Sequence, residues 1–165
     1  MPDGAKPVLD VRGLKTVFRT RGGTVHAVNE VSFTLAPGEL LGVVGESGSG
    51  KSVTMMSLIR LLPSPPADIC GGQVMLGDMD LLKASPEDLR RVRGARIGFV
   101  FQDPMTSLNP VFTVGNQIIE PLRHHMGLTK AQATERAVEL LELVGIPDAR
   151  RRLKAYPHQF SGGMR

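Results

Sequence analysis

The stretch Gly45-Glu46-Ser47-Gly48-Ser49-Gly50-Lys51-Ser52 matches the pattern G-x-x-x-x-G-K-[ST]. A continuous apolar run, Leu40-Leu41-Gly42-Val43-Val44, precedes it and predicts a central strand that is buried on both faces. Apolar residues at helical spacing follow from Lys51 to Leu62, where a proline-rich stretch ends the predicted helix. Strand, glycine loop and helix in this order are the context in which the pattern predicts a phosphate-binding loop.

Each residue type in this loop has a physical role toward a phosphate. Glycines allow the tight turn that points backbone N–H groups inward, and the following helix adds unpaired donors and a positive dipole end. Lys51 adds a mobile charge for the terminal phosphates, and the hydroxyl of Ser52 can bind the Mg²⁺ that bridges them. The predicted nucleotide-binding residues are Gly45, Ser47, Gly48, Ser49, Gly50, Lys51, Ser52 and Val53.

Two alternatives to this interpretation stay open at the level of the residues. A flexible glycine turn that binds nothing would show the same spacing of glycines. The hydroxyls of Ser47 and Ser49 are also explained as small side chains tolerated in a crowded loop whose amides do the binding. A phosphate loop alone predicts only a nucleoside triphosphate as the ligand, because many unrelated proteins use one.

The composition limits the class of protein. The 165 residues include 20 Lys and Arg against 16 Asp and Glu, for a net charge of +4, and 41% of them are apolar. These values are typical of a globular domain, and the longest apolar runs fall far short of the roughly 20 residues of a membrane helix. The single Cys70 cannot form an internal disulfide, and no secretory signal pattern is present, so we expect a cytoplasmic compartment. Short basic clusters with few aromatic residues favour a solvated face over a nucleic-acid site.

Patterns around the loop predict a mixed β and α/β part. The segments Val8–Phe18 and Val25–Leu35 flank a turn-rich stretch and predict a hairpin. Further strands are predicted over Gln73–Leu76 and Ile97–Phe101. The stretch Ser85-Pro86-Glu87-Asp88 has the composition of a helix start, with proline at the first helical position.

The chain becomes helical after about residue 113. Thr113 can cap a helix that extends to about His124. The spacing in Thr129-Lys130-Ala131-Gln132 is that of a capping box and precedes apolar residues along one helical face. Gly145 and Pro147 are expected to end that second helix.

Two further motifs follow the phosphate loop. Phe101-Gln102-Asp103-Pro104 and Phe160-Ser161-Gly162-Gly163-Met164-Arg165 resemble the Q-loop and the signature sequence of ABC-type ATPases. The longer stretches 101–110 and 156–165 resemble the ATPase subunits of oligopeptide and dipeptide importers, and the resemblance covers nearly the whole chain. It implies an α/β fold of the P-loop NTPase type, with an N-terminal antiparallel β subdomain and a helical subdomain.

The resemblance also implies roles for individual residues. Lys51 and Gln102 would act at the reacting phosphate, and Gln102 would join Ser52 near the Mg²⁺. Ser161, Gly162 and Gly163 would bind the γ-phosphate of ATP held by the opposite protomer. Phe18 is the candidate for an aromatic that stacks on adenine, and a phenylalanine that packs at the sheet edge is an equal alternative.

The cofactors and partners follow from the same resemblance. They are ATP and Mg²⁺, a second ABC ATPase subunit of the same or another sequence, transmembrane permease subunits and, indirectly, an extracytoplasmic solute-binding protein. The implied function is that of the energy-coupling subunit of a peptide importer at the cytoplasmic face of the membrane, with no nucleic acid as partner. An ABC-type ATPase that acts on DNA or ribosomes and a fragment without function are the alternatives.

The resemblance divides the chain into four segments. Residues 1–101 would form the β subdomain and a partial P-loop core, 102–112 the Q-loop linker, 113–160 the helical subdomain and 161–165 the start of the signature helix. In the family, the Walker B strand with its catalytic Glu and a switch histidine come after the signature, and this chain ends at Arg165. We therefore expect a truncated domain that binds ATP and whose hydrolysis is severely impaired, because no carboxylate polarises the attacking water.

Overall fold

A four-stranded antiparallel sheet dominates the first part of the chain in the computed structural model, which describes residues 6–103 and 107–165. The chain divides between Arg90 and Arg91 into two compact units. The strands of the first unit lie in the order β2-β1-β3-β4 and are β1 (Leu9–Thr20), β2 (Gly23–Leu35), β3 (Ala67–Leu76) and β4 (Met79–Asp80). The predicted hairpin is confirmed as β1 and β2, and β3 begins at Ala67 rather than at Gln73.

Helix α1 (Lys51–Leu58) is fixed to β1 by a buried polar contact. The hydroxyls of Thr16 and Ser57 lie 2.9 Å apart, and both residues are fully buried. Ser57 Oγ also lies 2.7 Å from the carbonyl of Val53 and donates to it, so neither hydroxyl is buried without a partner. The buried apolar side chains of the same unit include Val11, Leu14, Val17, Val74 and Leu81. The last turn of α1 is thereby held against β1.

Helix α1 is shorter than the sequence predicted. It ends at Leu58 and not at Leu62, because Arg60 takes a left-handed backbone conformation with φ +52°. Helix α2 (Pro86–Val92) begins as predicted, since the hydroxyl of Ser85 accepts from the backbone N–H of Asp88 at 3.1 Å.

The second unit is helical, as predicted. Its helices are α3 (Val114–Met126), α4 (Lys130–Leu143) and α5 (Ala149–Arg152), followed by 3₁₀ turns at Pro157–Gln159 and Gly162–Met164. Thr113 caps α3 and the capping box of Thr129 and Gln132 starts α4, so both predicted caps are confirmed. The apolar core of this unit consists of Val114, Ala137, Val138, Leu141, Ile146, Ala149, Leu153 and Phe160.

Two predicted strands do not form in this structure. The predictions of a central strand over Leu40–Val44 and of a strand over Ile97–Phe101 are therefore wrong. Leu40 and Val44 are 97% and 93% exposed, and Val100 is 95% exposed. A strand buried on both faces needs neighbouring strands for its hydrogen bonds and helices over its faces. Within residues 6–103 and 107–165, the sheet supplies neither to these runs, and Ile97 forms only an isolated bridge with Arg93.

Candidate functional site

The glycine loop ahead of α1 has a backbone that only glycine adopts without strain. Gly48 and Gly50 have φ of +82° and +87°, in the left-handed region. A Cβ built on Gly50 would overlap the carbonyl oxygen of Ala27 in β2, and one on Gly45 would lie 2.8 Å from Ser49 Oγ. The glycine at position 50 is therefore required by a close approach to the backbone of β2. The neighbour of Gly45 is a serine hydroxyl that can rotate, and Gly48 has open space around it.

Lys51 bends back over this loop. Its Nζ donates to the carbonyl oxygens of Gly45 at 2.6 Å and Glu46 at 2.7 Å, and lies 3.2 Å from Ser49 Oγ. These partners are neutral, and no carboxylate in the described ranges pairs with the ammonium. The loop thus holds a positive charge that is oriented but not neutralised, which is what an anion site requires.

The start of α1 adds further donors. Gly50 is the N-cap, and in the described part of the chain no side chain caps the helix and no acidic residue lies in its first turn. The carbonyl of Gly50 accepts from the backbone N–H and the hydroxyl of Thr54, at 2.8 and 2.9 Å. The first amides of α1 are left for an external acceptor, and the exposed hydroxyl of Ser52 lies in the same turn. This donor set fits a triphosphate with Mg²⁺.

Phe18 lies in the same unit as the loop. It is half-buried near the end of β1, opposite Val25 on β2 and Ala67 on β3. Its strand therefore has neighbours on both sides and is not an edge of the sheet. The adenine-stacking role stays a prediction.

Gln102 lies in the second unit, in a stretch without regular structure, and its side chain is exposed. Before it, the rings of Phe99 and Phe101 pack with centroids 4.9 Å apart. Pro104, which completes the Q-loop motif, lies outside the described residues together with 105 and 106. The structure gives the setting of Gln102, and its role at Mg²⁺ stays a prediction.

A glutamine that the sequence analysis missed ties down the loop after the Q-loop motif. The carboxamide of Gln117, on the first turn of α3, accepts from Asn109 N at 2.8 Å and donates to Asn109 O at 2.8 Å. It also donates to the carbonyl of Phe112 at 3.0 Å. The one available signal in the sequence was the turn-forming pair Asn109-Pro110, since the side chain of Asn109 accepts from Val111 N at 3.1 Å.

Substitution of Gln117 by alanine is expected to loosen this loop without unfolding the unit. Three hydrogen bonds are lost, and at roughly 1 kcal/mol each the local opening free energy should fall by about 2 to 3 kcal/mol. Amide hydrogen exchange at Asn109 should accelerate accordingly. Asn116→Ala is the matched control, because this neighbouring carboxamide is exposed. Equal exchange rates in the two variants would contradict the role of Gln117.

The signature stretch is anchored by the residue before it. Phe160 is only 4% exposed and belongs to the core of the second unit. The guanidinium carbon of Arg152 lies 5.5 Å from its ring centroid, and Arg152 also donates to the carbonyl of Gln159 at 3.2 Å. Arg165 Nε donates to the carbonyl of Phe160 at 3.0 Å. The phenylalanine in this variant of the signature is thus a packing anchor, with Arg152 over its ring and Arg165 bonded to its backbone carbonyl.

The three small signature residues that follow this anchor are exposed. Ser161 is exposed, takes an extended conformation and is the N-cap of the 3₁₀ turn. A Cβ on Gly162 or Gly163 would meet nothing within 4 Å, so the packing of this chain does not demand glycine at either position. The open space leaves the backbone of the turn accessible to another molecule. The predicted start of a helix is a 3₁₀ turn here, and the role of the three residues at a γ-phosphate stays a prediction.

Arg152 and Gln159 were missed by the sequence analysis as supports of this loop. Gln159 Oε1 accepts from the backbone N–H of Tyr156 at 2.8 Å, which closes the turn that leads to the signature. The available signal was the stretch Tyr156-Pro157-His158-Gln159. Tyr156 is the N-cap of the 3₁₀ turn, proline is the first residue of the turn and glutamine is the third. No comparable signal marked Arg152. It lies in the run Arg150-Arg151-Arg152, and the sequence does not distinguish one arginine of this run from another.

Across residues 6–103 and 107–165, no group of three or more His, Cys, Asp or Glu could hold a metal ion. In the same ranges, none of the helices combines the length and the apolar character needed to cross a bilayer.

Comparison with protein-family models gives a match to the ABC transporter family over residues 28–165. The Oligopeptide transport ATP-binding protein of Bacillus subtilis is 50% identical over 96% of this chain, which corresponds to 44% of that protein. The Dipeptide transport ATP-binding protein of the same organism is 51% identical over 96% of this chain and 47% of its own length. The chain thus spans about half the length of the curated relatives it matches.

A solved ATP-binding cassette, described as a dimer in a post-hydrolysis state bound to ADP and Pi, has the same fold. Its TM-score is 0.79 at 24% identity, and the match covers 94% of this chain and 64% of the cassette. At this identity the likeness extends to the fold and to nothing further. The β subdomain and the helical unit seen here are therefore parts of an α/β cassette of the P-loop type.

Proposed function

This chain belongs to the ABC transporter family, and on that premise we propose that it is the ATP-binding, energy-coupling part of an importer for peptides or similar solutes. The observation that carries the proposal is the ammonium of Lys51 at the start of α1, which two loop carbonyls orient and which no carboxylate of the described residues neutralises. The relatives at 50 and 51% identity, which are named for oligopeptide and dipeptide transport, support peptides as the class of solute.

The phosphate loop would bind ATP through the donors described above. The ammonium of Lys51 would leave the neutral carbonyls of Gly45 and Glu46 for the more strongly attracting oxygens of the terminal phosphates. The amides between Ser47 and Val53 would donate to the remaining phosphate oxygens. Phe18 would stack on the adenine ring. Binding would therefore replace the contacts of Lys51 within the loop by contacts with the nucleotide.

The Mg²⁺ would be held by the hydroxyl of Ser52 and the carboxamide oxygen of Gln102. When bound, it would neutralise part of the charge on the phosphates. Gln102 is uncharged and offers both an acceptor and a donor, so it would position the attacking water without altering the net charge of the site.

The signature turn would complete the site of a second ATPase subunit. Ser161, Gly162 and Gly163 present a hydroxyl and backbone donors in open space, where the γ-phosphate of ATP bound to the opposite subunit would lie. ATP would thus bring two subunits together, and hydrolysis would separate them. Permease subunits would receive this motion at the cytoplasmic face of the membrane, and a solute-binding protein would deliver the peptide to them.

Nucleotide-linked stabilisation tests the proposal. MgATP at ten times its Kd should raise the free energy of unfolding of this chain by about 1.4 kcal/mol, since it binds only the folded loop. The measurement is urea unfolding with and without MgATP. AMP is the matched ligand, because it offers adenine without the β- and γ-phosphates, and it should shift the midpoint far less. No shift with MgATP would refute the proposed site.

Hydrolysis is tested separately. The family's water-activating carboxylate is not among these 165 residues, so turnover is a property proposed for the whole protein. Steady-state phosphate release should be found in a chain extended through that carboxylate and be negligible in the 165-residue chain. Equal turnover by both would show that another group activates the water.

A further inference from the structure

A cavity of about 460 Å³ lies in the second unit beside the segment that leads to the signature. Its lining residues are Asp148, Arg151, Arg152, Lys154, Ala155 and Gln159. Three cationic side chains thus face one carboxylate. A concave surface with an excess of one charge concentrates the electrostatic potential and attracts ions of the opposite sign.

Arg150, which precedes Arg151 in the chain, is already neutralised by Glu135. Arg150 binds both carboxylate oxygens of Glu135, with Nη1 2.9 Å from Oε1, and its hydrogen bonds lower the pKa of that carboxyl. In contrast, across the described ranges no ion pair involves the exposed side chains of Arg151 or Lys154. Two of the charges that line the cavity, those of Arg151 and Lys154, are therefore left without a counter-ion among the described residues.

Arg152 gives the cavity a fixed element. Its guanidinium is half-buried, donates to the carbonyl of Gln159 and lies over the ring of Phe160. A planar guanidinium held in this way loses little rotamer freedom when it binds, and its fork of N–H groups matches two oxygens of a phosphate. Arg151 and Lys154 can then close on the same anion from the more mobile side of the cavity.

We propose that this basic cavity binds a phosphate group, carried either by a soluble polyphosphate or by a phospholipid headgroup. The site is formed by residues of the second unit and goes beyond the nucleotide site proposed for the first. Because Arg152 contacts both the cavity and the anchor of the signature loop, an anion bound here would restrain the backbone at Gln159 and Phe160.

Titration calorimetry with inorganic pyrophosphate tests the cavity. The background is Lys51→Ala, which removes the ammonium of the phosphate loop. Binding is expected at low ionic strength, and Arg151→Gln combined with Lys154→Gln should weaken it at least tenfold. Arg150→Gln removes one positive charge outside the cavity and should change the affinity less than twofold. Absence of binding, or equal weakening by the two sets of substitutions, would overturn the proposal.

Two further measurements locate the anion and identify its source. In NMR titrations, pyrophosphate should shift the amide signals of Ala155 and Gln159, and unchanged signals there would overturn the placement. Vesicles of phosphatidylcholine with phosphatidylglycerol are compared with vesicles of phosphatidylcholine alone. Binding to the anionic vesicles that depends on Arg151 and Lys154 assigns the site to a headgroup. Binding of pyrophosphate without vesicle binding assigns it to a soluble phosphate, and binding of neither refutes the site.

Discussion

Replacement of Lys51 by alanine is expected to abolish ATP binding by this chain. The ammonium is the charge that the glycine loop orients, through the carbonyls of Gly45 and Glu46, and no carboxylate of the described residues neutralises it. Without it, the terminal phosphates would meet only neutral donors and two carbonyl oxygens that repel them. Calorimetric titration with MgATP should show no binding at nucleotide concentrations that saturate the unsubstituted chain.

Lys130→Ala is the matched control for this result. Lys130 occupies the first position of a helix, as Lys51 does, and is exposed, but its helix is capped by Thr129 rather than preceded by a glycine loop. The loss of one positive charge at a helix start is therefore common to both variants. ATP affinity should be unchanged in Lys130→Ala, and similar losses in the two variants would mean that general charge, not the loop, attracts the nucleotide.

Gly50→Ala is expected to disrupt both the fold around the loop and nucleotide binding. A side chain at φ +87° costs about 1 to 2 kcal/mol. The new Cβ would also overlap the carbonyl oxygen of Ala27, which belongs to the backbone of β2 and cannot rotate away. With overpacking of about 1 to 3 kcal/mol added, the free energy of unfolding should fall by roughly 3 kcal/mol, as measured by urea unfolding.

Gly48→Ala separates the two causes. Gly48 has a similar φ of +82°, but a Cβ there meets nothing within 4 Å. This variant should lose only the backbone contribution, about 1 to 2 kcal/mol. If Gly48→Ala and Gly50→Ala lost the same stability, the close approach of α1 to β2 would not be the reason for the glycine at position 50.

Features set by neighbouring residues could be predicted from the sequence. The turn that joins β1 and β2 at Thr20 and Gly23, and the caps at Thr113 and Thr129, depend on contacts within a few positions along the chain. The match of the glycine loop to a phosphate-binding pattern is local in the same sense. Such signals are read directly from spacing, because the partners of each hydrogen bond are close in sequence.

Features that need distant partners could not be predicted in this way. The apolar run Leu40–Val44 has the composition of a buried strand, but composition does not tell whether neighbouring strands are present to pair with it. The residues that support the candidate site could not be predicted for the same reason. Gln117 and Arg152 act through side-chain contacts with backbone groups and a ring that no spacing rule specifies.

The same apolar runs have a practical consequence for work with this protein. In the described structure, the backbone amides and carbonyls of residues 40–44 lack strand partners while their side chains face water. A second molecule offers the complementary groups, so two copies can join edge to edge and add further copies. Self-association should therefore increase with protein concentration. Ligand affinities should be measured in dilute samples that light scattering shows to be monomeric.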